Sequence, residues 1–178
     1  VQLRAAFPTL DVDTLRGNVN TRLRKLDEGQ YDAILLAAAG LKRLGMDARI
    51  RAVLSPEESL PAVGQGALGI EIRAGRPELA ALLAPLDDPE TAACVRAERA
   101  MSRMLQGGCQ APIGGYAEMR QGRIQLRAFV ADLEGIRFYR AEAEGDPADP
   151  EAIGHAAARQ LIEQGADKLL AELVHRLQ

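Results

Sequence analysis

The stretch IGGYAEMRQGRIQLRAFVA at residues 113–131 decides the fold of the C-terminal half of the chain. Two runs, Ile113 to Met119 and Arg123 to Ala131, flank Gln121-Gly122, a pair suited to a tight turn. The even-numbered residues from Ile124 to Val130 are all apolar, so they share one face of an extended strand. The stretch therefore predicts two paired strands with one face in a core.

Elements on both sides of these strands predict a small α+β domain over residues 88–178, with a three-stranded sheet and helices. Asp88 as N-cap and Pro89 at the first helical position begin a helix that runs to about Leu105. Ile136 to Glu144 is the third strand. Asp149-Pro150 begins another helix, and Gly165 separates it from a last one. The inward positions of the first helix are predicted to be Ala93, Ala97, Ala100, Met101 and Met104.

The N-terminal part alternates between helix and strand patterns, which is typical of an α/β domain. A helix follows the loop Thr14 to Asn18 and ends near Gly29. The apolar run Ala33 to Ala38 predicts a strand buried on both faces, and Ala39 to Leu44 predicts a short helix. After a loop-like segment, Ala67 to Arg73 alternates as a strand does. Pro77 to Leu83 predicts a short helix. We expect residues 1–60 to form one domain, 61–87 a hinge and connecting segment, and 88–178 the C-terminal domain.

Composition limits the classes of function. The chain has 178 residues, 47% hydrophobic and 26% charged, and a net charge of −3, which gives no reason to expect a nucleic-acid partner. No stretch of 18 apolar residues is present, so no membrane span is expected. Two cysteines are too few for a disulfide scaffold or for a zinc site without histidine, and His155 and His175 lie far away. We expect no metal and a reducing, cytoplasmic setting. The first residue is Val1, which suggests a piece of a longer protein.

Cys109 lies in the most unusual segment of the chain. It follows Gly107-Gly108, just after a predicted helix and just before a predicted strand. Glycines there allow positive φ and the close approach of a bulky group, and a thiol on such a loop is accessible. From spacing alone, however, a lone cysteine is more often a small buried hydrophobe, and that interpretation of Cys109 stays open. Cys94, in the middle of a helix between Ala93 and Val95, is expected to be a core residue.

A second candidate site lies at the start of the helix that follows the loop Thr14 to Asn18. Arg16 precedes this helix, and Arg22 lies in its early turns. Helix starts attract anions, and two guanidinium groups there suit a carboxylate or phosphate ligand. The alternative is that both arginines are solvated. Arg43, after the predicted buried strand, is a similar but weaker candidate.

Five sequence blocks in order and at the expected spacing make the chain resemble the porphobilinogen deaminase (hydroxymethylbilane synthase) family over essentially its whole length. The blocks are Leu15-Arg16-Gly17-Asn18-Val19 with Thr21-Arg22-Leu23, Ala39-Gly40-Leu41-Lys42-Arg43-Leu44, Leu60-Pro61-Ala62-Val63-Gly64-Gln65-Gly66-Ala67, Ala97-Glu98-Arg99-Ala100 and Gly107-Gly108-Cys109-Gln110-Ala111-Pro112-Ile113-Gly114.

The resemblance implies a transferase that joins four porphobilinogen units into hydroxymethylbilane and releases ammonia. It implies a dipyrromethane cofactor bound through a thioether to Cys109. Arg16, Arg22 and Arg43 match arginines that bind the pyrrole carboxylates, while Gly40 and Gln65 match segments near the cleft. It further implies two domains that resemble periplasmic binding proteins and a third that carries the cofactor, in a monomeric enzyme that binds oligopyrrole intermediates.

The family's first domain and the start of its second have no counterpart in this chain. In the family that part holds the aspartate that handles proton transfer, so we expect no catalytic acid or base here and no activity from this chain alone. Asp11, Asp13, Asp27 and Asp32 do not match that aspartate. Two other functions stay open: a binding module for a carboxylated small molecule, and an enzyme that uses Cys109 as a transient nucleophile. The second needs a base, and no histidine lies near Cys109 in sequence.

Overall fold

The computed structural model describes residues 1–106 and 111–177, of which Arg176 and Leu177 are described for their backbone only. In this part of the chain it contains seven α-helices and one three-stranded sheet. The helices are α1 (Gln2–Ala6), α2 (Val19–Asp27), α3 (Ala38–Arg43), α4 (Pro77–Leu83), α5 (Pro89–Met104), α6 (Pro150–Glu163) and α7 (Ala166–Leu177). The strands are β1 (Ile113–Arg120), β2 (Arg123–Ala131) and β3 (Phe138–Gly145).

The predicted antiparallel hairpin is confirmed. The strand order is β1-β2-β3, both pairs are antiparallel, and Ile113 pairs with Val130 at the open end of the hairpin. The turn uses positive φ at both Gln121 and Gly122, 51° and 76°, which matches the twist of a two-residue hairpin loop. The sequence therefore defined the register of the first two strands.

The core lies between one face of the sheet and the helices α5, α6 and α7. Ile124, Leu126 and Val130 of β2 are fully buried there, as the alternation predicted. The predicted N-caps are also confirmed, because Asp88 accepts a hydrogen bond from the Thr91 amide and Asp149 accepts one from the Ala152 amide. The domain predicted over residues 88–178 is thus an α+β unit.

Met104 was wrongly predicted to face inward. Its exposed fraction is 37%, whereas Leu105 is buried. Residues four apart lie on one face of a helix, so Ala97, Met101 and Leu105 form the buried row and Met104 lies beside it.

The opposite face of the sheet holds an aromatic pair. The rings of Phe129 and Phe138 stack with centroids 4.8 Å apart. Phe129 also covers Gly114 on the neighbouring strand, where an added Cβ would lie 2.1 Å from the ring. A glycine is required at this position of β1 because the Phe129 ring occupies the space of a side chain.

The outer edge of β3 is hydrogen-bonded by the side chains of Gln160 in α6 and Gln164, the C-cap residue of that helix. The Gln164 amide group donates to the carbonyl of Arg140 at 2.8 Å, and that of Gln160 donates to the carbonyl of Glu142 at 3.0 Å. The same two glutamines accept from the Arg140 and Glu142 amides. Two side chains thereby satisfy backbone groups that another strand would otherwise pair with.

The α/β pattern expected for residues 1–60 is not found in the structure. That segment contains helices α1 to α3, and the strands predicted over residues 33–38 and 67–73 are both absent from the described chain. Leu68, in the second of these segments, is 99% exposed. A strand is stable only beside a partner strand, and no described residues pair with either segment. Among the described residues no helix is long and apolar enough to cross a membrane.

The N-terminal helix is attached at two distant points. The Gln2 side chain donates to the Leu60 carbonyl at 2.8 Å and accepts from the Leu60 amide at 2.9 Å. The Arg4 guanidinium donates to the carbonyl of Leu133, in the turn between β2 and β3, at 3.0 Å. These bonds tie α1 both to the segment before Pro61 and to the C-terminal domain.

Candidate functional site

The start of α2 holds the first predicted anion site. Asn18 caps the helix by accepting from the Thr21 amide at 2.9 Å, and Gly17 before it has a φ of 122°. Arg22 is half-buried, and its Nε donates to the Gly17 carbonyl at 2.7 Å. This bond holds the guanidinium against the loop that precedes the helix. It uses one of the five N–H donors of the group and leaves the others for a ligand.

The other two predicted arginines are exposed. Arg16 lies in the loop one residue before Gly17, and Arg43 lies in the last turn of α3, where the helix dipole favours a cation. Neither makes an ion pair among the described residues. Arg16 and Arg22 thus flank the start of α2, and Arg43 lies at the end of α3.

Gly40 and Gln65 were predicted near a cleft. Gly40 lies inside α3, and an added Cβ would meet nothing within 4 Å, so the fold itself does not require glycine there. Gln65 is exposed, and its backbone N–H donates to the Ala62 carbonyl at 3.2 Å, which forms a turn. Both positions are accessible to a ligand from solvent.

Glu98 was not proposed as a site residue from the sequence, and with Asp132 it is one of two buried charged residues in the described part of the chain. It lies on α5 with an exposed fraction of 5%. Its two carboxylate oxygens accept from the Gly64 amide at 2.7 Å and from the Ala117 amide at 2.8 Å. Burial raises the pKa of Glu98 above its ordinary value, and these two bonds and Arg99 offset only part of that rise.

The structure describes one of the two cysteines, Cys94. Cys94 is buried in the core, as predicted. Burial, followed by the negative charges of Glu98 and Glu90, raises the pKa of its thiol, which makes it a poor nucleophile. Cys109 lies outside the described residues, between the end of α5 at Met104 and the start of β1 at Ile113.

The described part of the chain contains no group of three His, Cys, Asp or Glu side chains that could hold a metal ion. Its charged candidates are arginines, which are ligands for carboxylates and phosphates.

The architecture is a small α+β domain attached to an arginine-bearing N-terminal segment. Two family models match these two parts. The model described as "Porphobilinogen deaminase, dipyromethane cofactor binding domain" matches residues 1–81, and "Porphobilinogen deaminase, C-terminal domain" matches residues 92–163. The chain belongs to the porphobilinogen deaminase family. Dipyrromethane is the cofactor that the first of these models names.

Curated relatives agree with the family models. The chain is 63% identical over 172 residues to the porphobilinogen deaminase of Thiobacillus denitrificans, an alignment that covers 97% of this chain and 56% of the relative. It is 58% identical over 174 residues to that of Methylobacillus flagellatus, with 98% and 56% covered. The porphobilinogen deaminase of Laribacter hongkongensis is 57% identical over 169 residues, with 95% and 55% covered. The chain therefore spans little more than half the length of these relatives.

The family match divides the predicted site residues between the two models. Arg16, Arg22, Arg43, Gly40 and Gln65 fall within the residues matched by the cofactor-binding model, and Cys109 falls within those matched by the C-terminal model. Glu98 falls in the second as well. One sequence signal could have identified Glu98. It is a charged residue that stands between two inward-facing positions, Ala97 and Met101, of an amphipathic helix.

Proposed function

We propose that this chain is the C-terminal part of a transferase, the parent protein, that joins four porphobilinogen units into hydroxymethylbilane and releases ammonia. The observation that carries the proposal is the 63% identity to the Thiobacillus relative over 97% of this chain. Porphobilinogen and the oligopyrrole intermediates are its ligands. We infer that the parent protein is a cytoplasmic monomer that requires neither nucleic acid nor membrane.

Cys109 is the proposed attachment point of the dipyrromethane. A thiolate is a soft nucleophile suited to an electron-poor methylene carbon attached to a pyrrole, and a thioether resists hydrolysis. When bound, the dipyrromethane supplies the pyrrole carbon to which new units are joined. Cys94 is a poor candidate for this attachment because it is buried and its pKa is raised.

The arginines are proposed to bind the acetate and propionate groups of the pyrroles. Guanidinium groups match planar carboxylates and keep their charge at any physiological pH. Arg22 fits this task well because the Gly17 carbonyl holds its Nε at 2.7 Å, which orients the rest of the group before a ligand arrives. Arg16 and Arg43 are exposed and reach a ligand from solvent, and Gly40 and Gln65 border the same proposed cleft.

The missing N-terminal part of the parent protein is the proposed partner of the connecting segment that follows the hinge within residues 61–87. Leu68, Ile70 and Ile72 alternate along the predicted strand and are all exposed in the structure. We propose that this segment and residues 33–38 become strands of periplasmic-binding-protein-like domains when that part supplies neighbours. On this proposal the domain boundaries fall at residues 60 and 87, with the connecting segment between them.

The present chain by itself is proposed to be inactive. Its arginines stabilise carboxylates but disfavour the cation that forms when ammonia leaves, and none of its aspartates matches the family's acid. A cleft with one wall also admits water, which weakens electrostatic interactions several-fold. The purified chain should therefore produce no uroporphyrin from porphobilinogen, and adding the missing part should restore production.

The test of the assignment is the intact mass of the parent protein. We expect a permanent dipyrromethane adduct that is lost in Cys109→Ser and retained in Cys94→Ser, because a hydroxyl is a much weaker nucleophile than a thiol. An adduct mapped to Cys94 would refute the attachment point. An unmodified wild-type thiol with bound ligand would instead favour the alternative function, a binding module for carboxylated small molecules. The orientation of the Arg22 guanidinium also fits that function.

A further inference from the structure

The segment Pro61–Gly66, here called the strap, lies along the free edge of β1. The Gly115 amide of β1 donates to the Pro61 carbonyl at 3.0 Å, so the strap begins with a backbone bond to the strand. Val63 packs against the hydrophobic core of the C-terminal domain and lies 3.3 Å from the position of a Cβ on Gly115. The strap therefore packs against the C-terminal domain, although that domain begins about twenty residues later in the sequence.

Glu98 joins the strap to the two elements that bracket residues 105–112. Its carboxylate is carried by α5, one oxygen accepts from Ala117 of β1, and the other accepts from Gly64 of the strap. Gly64 has a φ of 75°, a conformation that places its amide toward the carboxylate at low cost only for glycine. Gly64 lies 34 residues before Glu98 and Ala117 lies 19 residues after it, so one side chain holds three distant segments together.

We propose that Glu98 is a positioning residue of the transferase: through Gly64 it holds the adjacent Gln65 at a fixed place relative to the domain that carries Cys109. Gln65 is exposed, so the bond restrains its backbone and leaves its side chain free for a ligand. The role in turnover rests on the proposed function, whereas the restraint of the strap does not.

The restraint is tested by hydrogen exchange on the 178-residue chain. In Glu98→Gln a side-chain NH₂ group takes the place of one carboxylate oxygen. A donor then faces one of the two backbone N–H groups, so one hydrogen bond is lost. Losing a charge-assisted hydrogen bond costs enough to raise exchange at Gly64 and Gln65 by at least about tenfold. Exchange at Leu169 of α7, a core residue without a bond to Glu98, should stay unchanged. The control is Glu90→Gln on the same helix, an exposed position that should alter neither. Unchanged exchange in the strap of Glu98→Gln would overturn the proposal.

The role in turnover is tested by a double-mutant cycle in the parent protein loaded with cofactor. Glu98→Gln and Gln65→Ala should each lower kcat for porphobilinogen about tenfold, and the double variant should be no slower than either, because Glu98 acts through Gln65. Multiplicative losses would refute action through Gln65. The adduct mass on Cys109 should persist in all three variants, and its loss in Glu98→Gln would show instead that the carboxylate serves cofactor assembly.

A second variant protects the test against a folding defect. Val63→Ala loosens the strap and leaves the Glu98 carboxylate in place. It should raise hydrogen exchange at Gly64 and lower kcat, as Glu98→Gln does. Normal kcat despite faster exchange would overturn the positioning role. If the wild-type parent shows no turnover at all, the proposed function fails and the role in turnover fails with it, while the exchange result still reports the restraint.

Discussion

Gly154 of α6 lies directly against the backbone of Ala97 on α5. A Cβ added to Gly154 would be 2.2 Å from the Ala97 carbonyl oxygen and 2.8 Å from the Met101 amide nitrogen. Backbone atoms cannot move aside as a flexible side chain can. The two longest helices of the C-terminal domain therefore pack together through a position that admits only glycine.

Replacing Gly154 by alanine should destabilise the domain. The helix propensity of alanine favours the substitution by about 1 kcal/mol, but forced separation of two packed helices costs roughly 1–3 kcal/mol or more. We expect a net loss in the free energy of unfolding, measured by urea denaturation. Gly69→Ala is the control, because a Cβ there meets nothing within 4 Å and should change stability little. Equal midpoints for the two variants would contradict the packing argument.

Asp132 should contribute stability that is lost in acid. The side chain is buried in the turn between β2 and β3, and burial alone would raise its pKa. The amides of Arg137, Ile136 and Gly135 more than reverse this, so the pKa of Asp132 lies below its ordinary value of 3.8. A lowered folded-state pKa gives stability above the unfolded-state pKa, which disappears as the pH falls through the folded-state pKa.

Asp132→Asn should therefore be less stable than the wild type near pH 7, and the difference should shrink as the pH falls below about 4. Thermal unfolding at a series of pH values measures it. Glu134→Gln, an exposed change in the same turn, serves as the control. A difference that grows in acid would show that the sign is wrong.

Arg22→Lys should weaken porphobilinogen binding in the parent protein by roughly tenfold, since lysine lacks the planar group that reaches the Gly17 carbonyl and a carboxylate together. Calorimetric titration measures the affinity, and circular dichroism checks the fold. Arg24→Lys is the matched control two residues along α2, where the side chain is exposed and forms only a long pair with Glu28. Wild-type affinity in Arg22→Lys would exclude the proposed role.

Cys94 should react slowly with iodoacetamide in the folded chain and rapidly in urea. Its thiol is buried and its pKa is raised, so little thiolate is accessible at neutral pH. Peptide mapping after a timed reaction measures the modification, with Cys94 in the unfolded chain as the reference. Rapid labelling of Cys94 under native conditions would mean that α5 opens far more readily than its packing indicates.

The sequence predicted the C-terminal domain well because its signals are local. The Gln121-Gly122 turn, the alternation around Leu126 and the Asp-Pro helix starts each act within a few residues. The strand expected over residues 67–73 carries an equally clear alternation, but a strand needs a neighbour, and the described chain supplies none.

The candidate site combines local and long-range relationships. Arg22 could be proposed from the sequence because its helix start is visible there, and the orientation of its guanidinium depends on Gly17, only five residues away. The proposed role of Glu98 depends on the amides of Gly64 and Ala117, which lie 34 and 19 residues away and which no local pattern connects to it. Long-range pairing of a carboxylate with backbone groups follows from the tertiary fold and not from spacing.

The glutamines of α6 and its C-cap that bond the outer edge of β3 have a consequence for self-association. Exposed strand edges offer rows of unpaired backbone groups, which recruit strands from other molecules and lead to domain swapping or fibrils. Gln160 and Gln164 occupy the groups of Arg140 and Glu142 that an incoming strand would need. The two glutamines thereby reduce the number of unpaired backbone groups that this edge offers to another molecule, which disfavours templated aggregation.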